Sequence, residues 1–310
     1  MMHEIEITEI PPLKPAEQTL LDMHSVLNVF NVLWSELTLI GLALADDPAH
    51  LREGQALIGR LVAGLRDPVA SLEAARHIES HIAHVAAEIA ESLAARPGAG
   101  RRPEVARSLA SLESVFAVLR VRAREVLARA GRPELWLDMT VAELLSDFYE
   151  VLAAMQTGSH GRFGIVYNAA VQGPNDYYVD LRFESAVDDR LRLPLVFKDA
   201  MRDLVANARK YTAPGGQITA ALFADHDRLR LAVRDTGRGI PMAELASVID
   251  YGRRGSNVSD VRTMGGGFGL TKAFFVTKQF GGRFWIASEL GHGTRVRIEI
   301  PLTPPAAAAS

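Results

Sequence analysis

The chain has 310 residues, 48% of them hydrophobic, so it is long enough for two domains with separate cores. Lys and Arg total 34 and Asp and Glu total 37, which gives a net charge of -3 at neutral pH. That balance argues against a protein that binds nucleic acid, and we expect no such partner. The absence of cysteine excludes disulfides, thiolate metal sites and cysteine nucleophiles.

The first residues do not have the pattern of an export signal. Glu4, Glu6 and Glu9 stand where a signal peptide carries basic residues. The most apolar stretch, residues 29–45, contains polar side chains and falls short of the ~20 apolar residues that a membrane span requires. We therefore predict a soluble, cytoplasmic protein without membrane insertion.

The first half of the chain has the periodicity of packed helices. In the first helix, apolar residues form a seam with spacings of four and three residues: Val26, Phe30, Leu33, Leu37, Ile40 and Leu44. A seam this long commonly serves dimerisation, although a bundle within one chain gives the same pattern. Further helices are predicted at about 49–66, 69–95, 103–130 and 140–156, mostly separated by Pro and Gly.

The second half alternates apolar and polar residues over 177–184, 228–234 and 295–300, which predicts strands with one buried face. Helices are predicted at about 195–211 and 269–280. The fold class expected is α+β, with an N-terminal helical bundle followed by an α/β sandwich. The predicted divisions are an N-terminal extension (1–18), a helical domain (19–135), a sandwich domain (140–303) and a disordered tail (304–310).

Three motifs in the second half suggest a site for a nucleotide. Asp203, Asn207 and Lys210 share one face of the first of these helices, where an amide oxygen suits Mg²⁺ and an ammonium ion suits phosphate. Asp235 ends a strand and precedes Gly237 and Gly239, which allow close backbone approach. A glycine-rich run then opens the second helix, whose N–H groups can bind phosphate: Gly265, Gly267, Phe268, Gly269 and Leu270.

Together with Gly291-His-Gly293-Thr294, these motifs resemble the ATPase domain of sensor histidine kinases, which belongs to the superfamily of gyrase, HSP90 and MutL. The resemblance covers about 140–303. It implies ATP and Mg²⁺ as cofactors, with Asn207 as the Mg²⁺ ligand and Asp235 on the adenine amino group. Lys210 and Tyr211 would lie at the nucleotide, Thr294 would support Asp235, and Tyr251–Gly267 would form a mobile lid. Asp203 departs from the family, in which Asn, His or Glu is usual, and is expected to be catalytic, either by activating a nucleophile or by orienting the water of the metal.

Such a kinase needs a nucleophilic histidine on a helical domain. His24 and Asn28 resemble the phosphoacceptor box of the family, on a polar stripe that we expect to face solvent. The box lacks its usual acid because Ser25 follows the histidine, so we expect slow autophosphorylation unless another carboxylate, with Asp203 the better candidate, takes the proton. His77, His81 and His84, aligned on one helix, are the alternative phosphoacceptors or ligands of a transition metal.

The resemblance predicts a homodimeric, sensor-less histidine kinase. It would autophosphorylate on His24 and pass the phosphoryl group to an aspartate of a response-regulator receiver domain. The alternative is a degenerate kinase that acts as an ATP-binding scaffold or phosphatase for a regulator. A protein-serine kinase of the anti-sigma type is disfavoured because such chains usually lack a long helical bundle.

Overall fold

The computed structural model describes residues 2–132, 134–159, 161–260 and 267–302. The chain divides into two compact units, which we call the helical unit (13–133) and the sheet unit (1–12 with 134–310). Residues 1–12, expected to belong to an N-terminal extension, are thus part of the sheet unit. The tail expected at 304–310 lies outside the described residues.

The helical unit is built around the apolar seam of its second helix. Every residue of that seam, from Val26 to Leu44, is buried. The predicted helix at 69–95 is two helices, because the backbone of His77 leaves the helical region at φ -98° and ψ 19°. The helices are α1 (Pro15–Asp22), α2 (His24–Ala45), α3 (Arg52–Gly64), α4 (Pro68–Arg76), α5 (Ile78–Ala94) and α6 (Pro103–Gly131).

Helix α2 is more apolar than the sequence analysis allowed. Its 22 residues have a mean hydropathy of 1.5, and by length and composition alone it could cross a membrane. The expectation that its polar residues exclude a span was therefore too strong. Half of its most apolar window is buried inside the protein, as in the core helix of a globular unit.

The strands of the sheet unit are β1 (His3–Ile7), β2 (Trp136–Thr140), β3 (Gly164–Val166), β4 (Asp176–Ser185), β5 (Arg190–Pro194), β6 (Gln217–Ala224), β7 (Arg228–Asp235), β8 (Arg283–Glu289) and β9 (Gly293–Pro301). Seven of them form a mixed sheet in the order β1-β8-β9-β7-β6-β4-β3, and β2 pairs with β5 separately. Strands β3, β4 and β6 are mutually parallel, and the other pairs are antiparallel. The helices are α7 (Val141–Thr157), α8 (Leu195–Tyr211) and α9 (Gly269–Gln279).

One face of this sheet and three helices form a single hydrophobic core. Phe148 of α7, Phe197 of α8 and Phe274 of α9 are buried with the inward residues of the strands. The opposite face of the central strands carries mainly charged side chains, which explains the alternation in the sequence. The expected α/β sandwich is confirmed, preceded by a helical region.

Strand β1 was not expected from the sequence analysis. It pairs antiparallel with β8, with Ile5 opposite Ile286. On the outer face, Glu6 accepts a hydrogen bond from Arg283 Nε at 2.9 Å. The signal for this strand in the sequence is the alternation of Glu4, Ile5, Glu6 and Ile7.

Candidate nucleotide site

Asp235 ends β7 and is held by two backbone donors. Its side chain is almost buried, at 8% exposure, and Oδ1 accepts from Gly237 N at 2.8 Å and from Thr294 N at 3.2 Å. Burial raises the pKa of Asp235 to about 6, although the two hydrogen bonds act in the opposite direction. A buried carboxylate fixed in this way can accept a hydrogen bond from an amino group.

The backbone around Asp235 is packed too tightly for side chains. A Cβ atom at Gly239 would lie 2.1 Å from the carbonyl oxygen of Glu289, and Gly239 has a φ of 68°. A Cβ atom at Gly293 would lie 2.0 Å from the carbonyl oxygen of Asp235, at a φ of 99°. Both positions require glycine, for space and for conformation.

Ser288 of β8 supports the same corner and was not predicted. Its Oγ accepts from Ile240 N at 2.8 Å, donates to the Gly293 carbonyl at 2.8 Å and lies 3.0 Å from Thr294 Oγ1. The hydroxyl therefore ties the turn after β7 to the start of β9, beside the residue whose N–H holds Asp235. A serine within a strand gave no signal of this role.

The end of α8 places Lys210 among other cations. Burial, together with the positive charges of Arg254 and Arg209, lowers the pKa of Lys210 to about 8. The ammonium ion also lies 5.2 Å from the ring centroid of Tyr211. This desolvated positive cluster is suited to an anion, and Arg254 is a member that the sequence analysis did not identify.

Contacts from α8 bring the separate motifs together. Arg238 N, in the turn after β7, donates to the Tyr211 carbonyl at 3.1 Å. At the start of α9, a Cβ atom at Gly269 would lie 2.3 Å from Asn207 Nδ2. The Asp235 turn, the Asn207 and Lys210 face and the first turn of α9 thus surround one region.

Of the predicted lid, the structure describes Tyr251–Asp260 and Gly267. The ring of Tyr251 lies 4.8 Å from that of Phe268, and Gly267 has a φ of 78°. Leu270 is half-buried in the first turn of α9. Gly265 lies outside the described residues.

Asp203 is engaged by a residue that the sequence analysis missed. Its Oδ2 accepts from Lys272 Nζ of α9 at 3.0 Å, and Lys272 also pairs with Asp199. The only sequence signal was the spacing of four between the two aspartates, which puts them on one face of α8.

His24 lies in the helical unit, and the expectation that it faces solvent is wrong. It is the first residue of α2 and is 6% exposed. The preceding residues Leu20, Leu21 and Met23 are buried, so the start of α2 is packed inside the unit rather than at its surface. Asn28 Nδ2 lies 3.2 Å from His24 Nε2, one helical turn away.

The three alternative histidines do not share one helix, because His77 separates α4 from α5. His77 Nε2 lies 3.3 Å from Glu73. Burial, together with His77 and His84, lowers the pKa of His81. Within the described ranges, no group of three or more His, Asp or Glu residues could hold a metal ion, which disfavours the transition-metal alternative.

Comparison with known proteins finds a family model that matches part of the sheet unit. Residues 194–304 match the model of the histidine kinase-, DNA gyrase B-, and HSP90-like ATPase. The chain is 38% identical over 124 residues to the adaptive-response sensory kinase SasA of Synechococcus elongatus, covering 40% of this chain and 30% of that protein. It is 35% identical over 106 residues to the histidine protein kinase DivJ of Caulobacter vibrioides, covering 34% of this chain and 17% of that protein.

A mycobacterial sensor histidine kinase, MprB, matches 55% of this chain and all of the solved chain, with 18% identity and a TM-score of 0.39. The chain spans less than a third of the length of the two curated relatives. Residues 194–304 are therefore a histidine kinase-, DNA gyrase B- and HSP90-like ATPase domain, and the chain that carries them is related to the sensor histidine kinases.

Proposed function

We propose that the chain is a histidine kinase that transfers the γ-phosphoryl group of Mg·ATP to His24 and then to an aspartate of a response-regulator receiver domain. The observation that carries the proposal is the presence, in one chain, of this ATPase domain and of a histidine whose ring nitrogen meets Asn28 one helical turn away. SasA and DivJ, which are named as kinases, support it.

The residues of the sheet unit fit Mg·ATP. The Asp235 carboxylate would accept from the adenine amino group, and Lys210 would meet phosphate beside Arg254 and Arg209, where burial and these two charges lower its pKa. Asn207 would offer its amide oxygen to Mg²⁺, which takes its other ligands from phosphate and water. Bound Mg²⁺ would neutralise phosphate charge, while the N–H groups at the start of α9 would meet the phosphate oxygens.

In the transfer, His24 would form a phosphorus–nitrogen bond as the bond from the γ-phosphorus to its bridging oxygen breaks. ADP leaves, and the imidazole proton passes to a base. Asp203 stays our proposal for that base, because Ser25 cannot accept a proton well at neutral pH. Its ion pair with Lys272 means that the same carboxylate also links two helices.

The burial of His24 sets a condition for this chemistry. At 6% exposure the ring is closed to a phosphoryl donor, so the start of α2 must open before transfer. The same observation favours the second candidate, a degenerate kinase that binds ATP and serves as a scaffold or phosphatase for a regulator. A homodimer and a cytoplasmic location stay predictions.

Incubation with γ-labelled ATP distinguishes the two candidates. We expect a label that is acid-labile and base-stable, and we expect His24→Gln to lose it while keeping the affinity for ATP. His50→Gln is the matched control, because His50 also lies in the helical unit and hydrogen-bonds there to Ser92. Wild-type protein that binds ATP without labelling would support the scaffold, and a label that persists in His24→Gln would place the phosphoacceptor elsewhere.

A further inference from the structure

Lys272 is a buried lysine next to the nucleotide site. It lies in α9, one turn after Gly269, and is 2% exposed. Burial of an ammonium ion is unfavourable unless opposite charges and hydrogen bonds compensate for the lost water. The position of this lysine therefore depends on its partners.

Both partners of Lys272 come from α8. Its Nζ donates to Asp203 Oδ2 at 3.0 Å and to Asp199 Oδ2. The two aspartates are four residues apart and so lie on one face of the helix, and all three side chains are buried. This ion-pair cluster of Lys272, Asp199 and Asp203 joins α9 to α8.

The cluster lies one turn from Asn207 on α8 and one turn from Gly269 on α9. The contacts pair later residues of α9 with earlier residues of α8, so the two helices run antiparallel here. Because a Cβ atom at Gly269 would lie only 2.3 Å from Asn207 Nδ2, the backbone of α9 limits the space of the Asn207 amide. The position of α9, which the cluster fixes, thus determines how Asn207 is held.

We propose that Lys272 is a positioning residue for the metal side of the nucleotide site, acting through Asp203 and Asp199. It holds the first turn of α9 against Asn207 and so keeps the amide oxygen oriented for Mg²⁺. This inference rests on the proposed function only in giving Asn207 the metal of Mg·ATP. It assigns Lys272 no contact with the nucleotide.

The test measures the dissociation constant of ATP for the full chain by calorimetry, once with Mg²⁺ and once with EDTA. Loss of a side chain that orients a metal ligand typically weakens metal binding by about 10- to 100-fold. We expect Lys272→Met to weaken Mg·ATP binding at least about tenfold while ATP in EDTA binds within about twofold of wild type. Lys272→Arg, which keeps the charge, should bind Mg·ATP with most of the affinity of the wild type.

Lys278→Met is the matched control, because Lys278 lies on the same helix and packs over Phe274 instead of an aspartate. It should leave both dissociation constants unchanged. Equal losses with Mg²⁺ and with EDTA in Lys272→Met would overturn the proposal, because they would indicate a general defect of the fold. The proposal would also be overturned if Lys272→Arg bound Mg·ATP as weakly as Lys272→Met does.

A double-mutant cycle tests whether Lys272 acts through Asp203. The double variant Lys272→Met/Asp203→Asn should bind Mg·ATP as Asp203→Asn does, within about threefold, because contacting residues are not additive. Additive losses would instead mean that Lys272 meets the nucleotide itself, against the proposal. Should Lys272→Met not fold, a variant with Asp199→Asn and Asp203→Asn added removes all three charges, and Mg·ATP binding at the wild-type level in that variant overturns the proposal.

These measurements need no phosphotransfer. Protein that binds Mg·ATP with the expected variant pattern but never labels His24 would end the kinase proposal and leave the role of Lys272 standing. Protein that labels His24 but shows no metal-specific loss of affinity in Lys272→Met would support the kinase proposal and end the proposed role of Lys272.

Discussion

Asp235 and His24 are both nearly buried polar side chains, but the protein holds them in different ways. The Asp235 carboxylate accepts from two backbone N–H groups, one of which belongs to β9, 59 residues later in the chain. The His24 ring meets the side chain of Asn28, four residues away on its own helix. One group is fixed by long-range backbone structure and the other has a local side-chain contact.

The difference indicates which group is rigid and which can change. Backbone donors at a sheet corner are lost only if the sheet opens, whereas a side-chain contact within one helix is lost when either side chain rotates to another rotamer. A fixed carboxylate suits recognition of one base, and a histidine that must meet a phosphoryl donor needs the opposite property. Four predictions test this difference.

The largest effect is expected from Asp235→Ala. Removal of the carboxylate leaves the adenine amino group unpaired in a closed site, a loss of ~1 to 3 kcal/mol, and the shape of the corner is lost as well. We therefore expect ATP affinity to fall by about a hundredfold, measured by calorimetry. Arg234→Ala, an exposed neighbour on the outer face of β7, is the control and should bind normally. Equal affinities in Asp235→Ala and wild type would contradict the assignment of adenine to this corner.

A smaller effect is expected from pH. The pKa of Asp235 is raised to about 6 and that of Lys210 is lowered to about 8, so both groups are charged between these values. ATP affinity should be highest there and fall several-fold by about pH 5 and about pH 9. Lys210→Gln should abolish the alkaline decline and keep the acid one. A profile that is flat on the acid side would show that ionised Asp235 is not required.

On the acid side, protonation of Asp235 is expected to lower ATP affinity but to raise the stability of the folded protein. Because the pKa of Asp235 is higher in the folded protein than in the unfolded chain, its contribution to stability is present below about pH 4 and is lost as the pH rises through about 6. Nucleotide binding and folding therefore prefer different protonation states of one carboxylate. Thermal unfolding without nucleotide, followed over the same pH range, tests this opposition.

The smallest effect is expected from Ser25→Ala in the helical unit. Ser25 Oγ is buried and has no hydrogen-bond partner among the described residues, so its hydroxyl is desolvated without compensation. We expect the substitution to raise the free energy of unfolding by about 1 kcal/mol and to leave labelling of His24 unchanged. Asn28→Ala is the comparison, and it should lower both stability and labelling. A slower reaction in Ser25→Ala would give the hydroxyl a role in the chemistry.

The motifs of the candidate nucleotide site could be found in the sequence because each of them is local, and their role in binding a nucleotide stays a prediction. The carboxylate at the end of β7, the glycines after it and the polar face of α8 can be recognised within a few residues, and the structure places them together. Lys272 was not predictable, because its burial depends on two aspartates 69 and 73 residues earlier in the chain. A lysine that adjoins apolar residues in a helical sequence is more often exposed at the surface of the helix than buried.

The helical unit shows where periodicity is insufficient. The seam of α2 was predicted correctly, but His24, on the polar stripe opposite it, was wrongly assigned to solvent. A helix within a multi-helix unit can be covered on more than one side, and sequence spacing does not reveal how many neighbours it has. Strand β1 is a different failure, since the alternation of Glu4, Ile5, Glu6 and Ile7 is a strand signal that was present in the sequence.

Strand β1 has a consequence for how the sheet forms. It precedes the helical unit in the chain, and its partner β8 begins at Arg283, so this edge of the sheet forms only when residues on both sides of the helical unit have come together. Until β1 pairs with β8, the edge of the sheet is incomplete, and the glutamates of β1 oppose aggregation with other strands. A fragment that starts after the helical unit would lack β1 and expose the backbone of β8 as a new sheet edge. Expression of the sheet unit alone therefore requires residues 2–12 to be joined back to it.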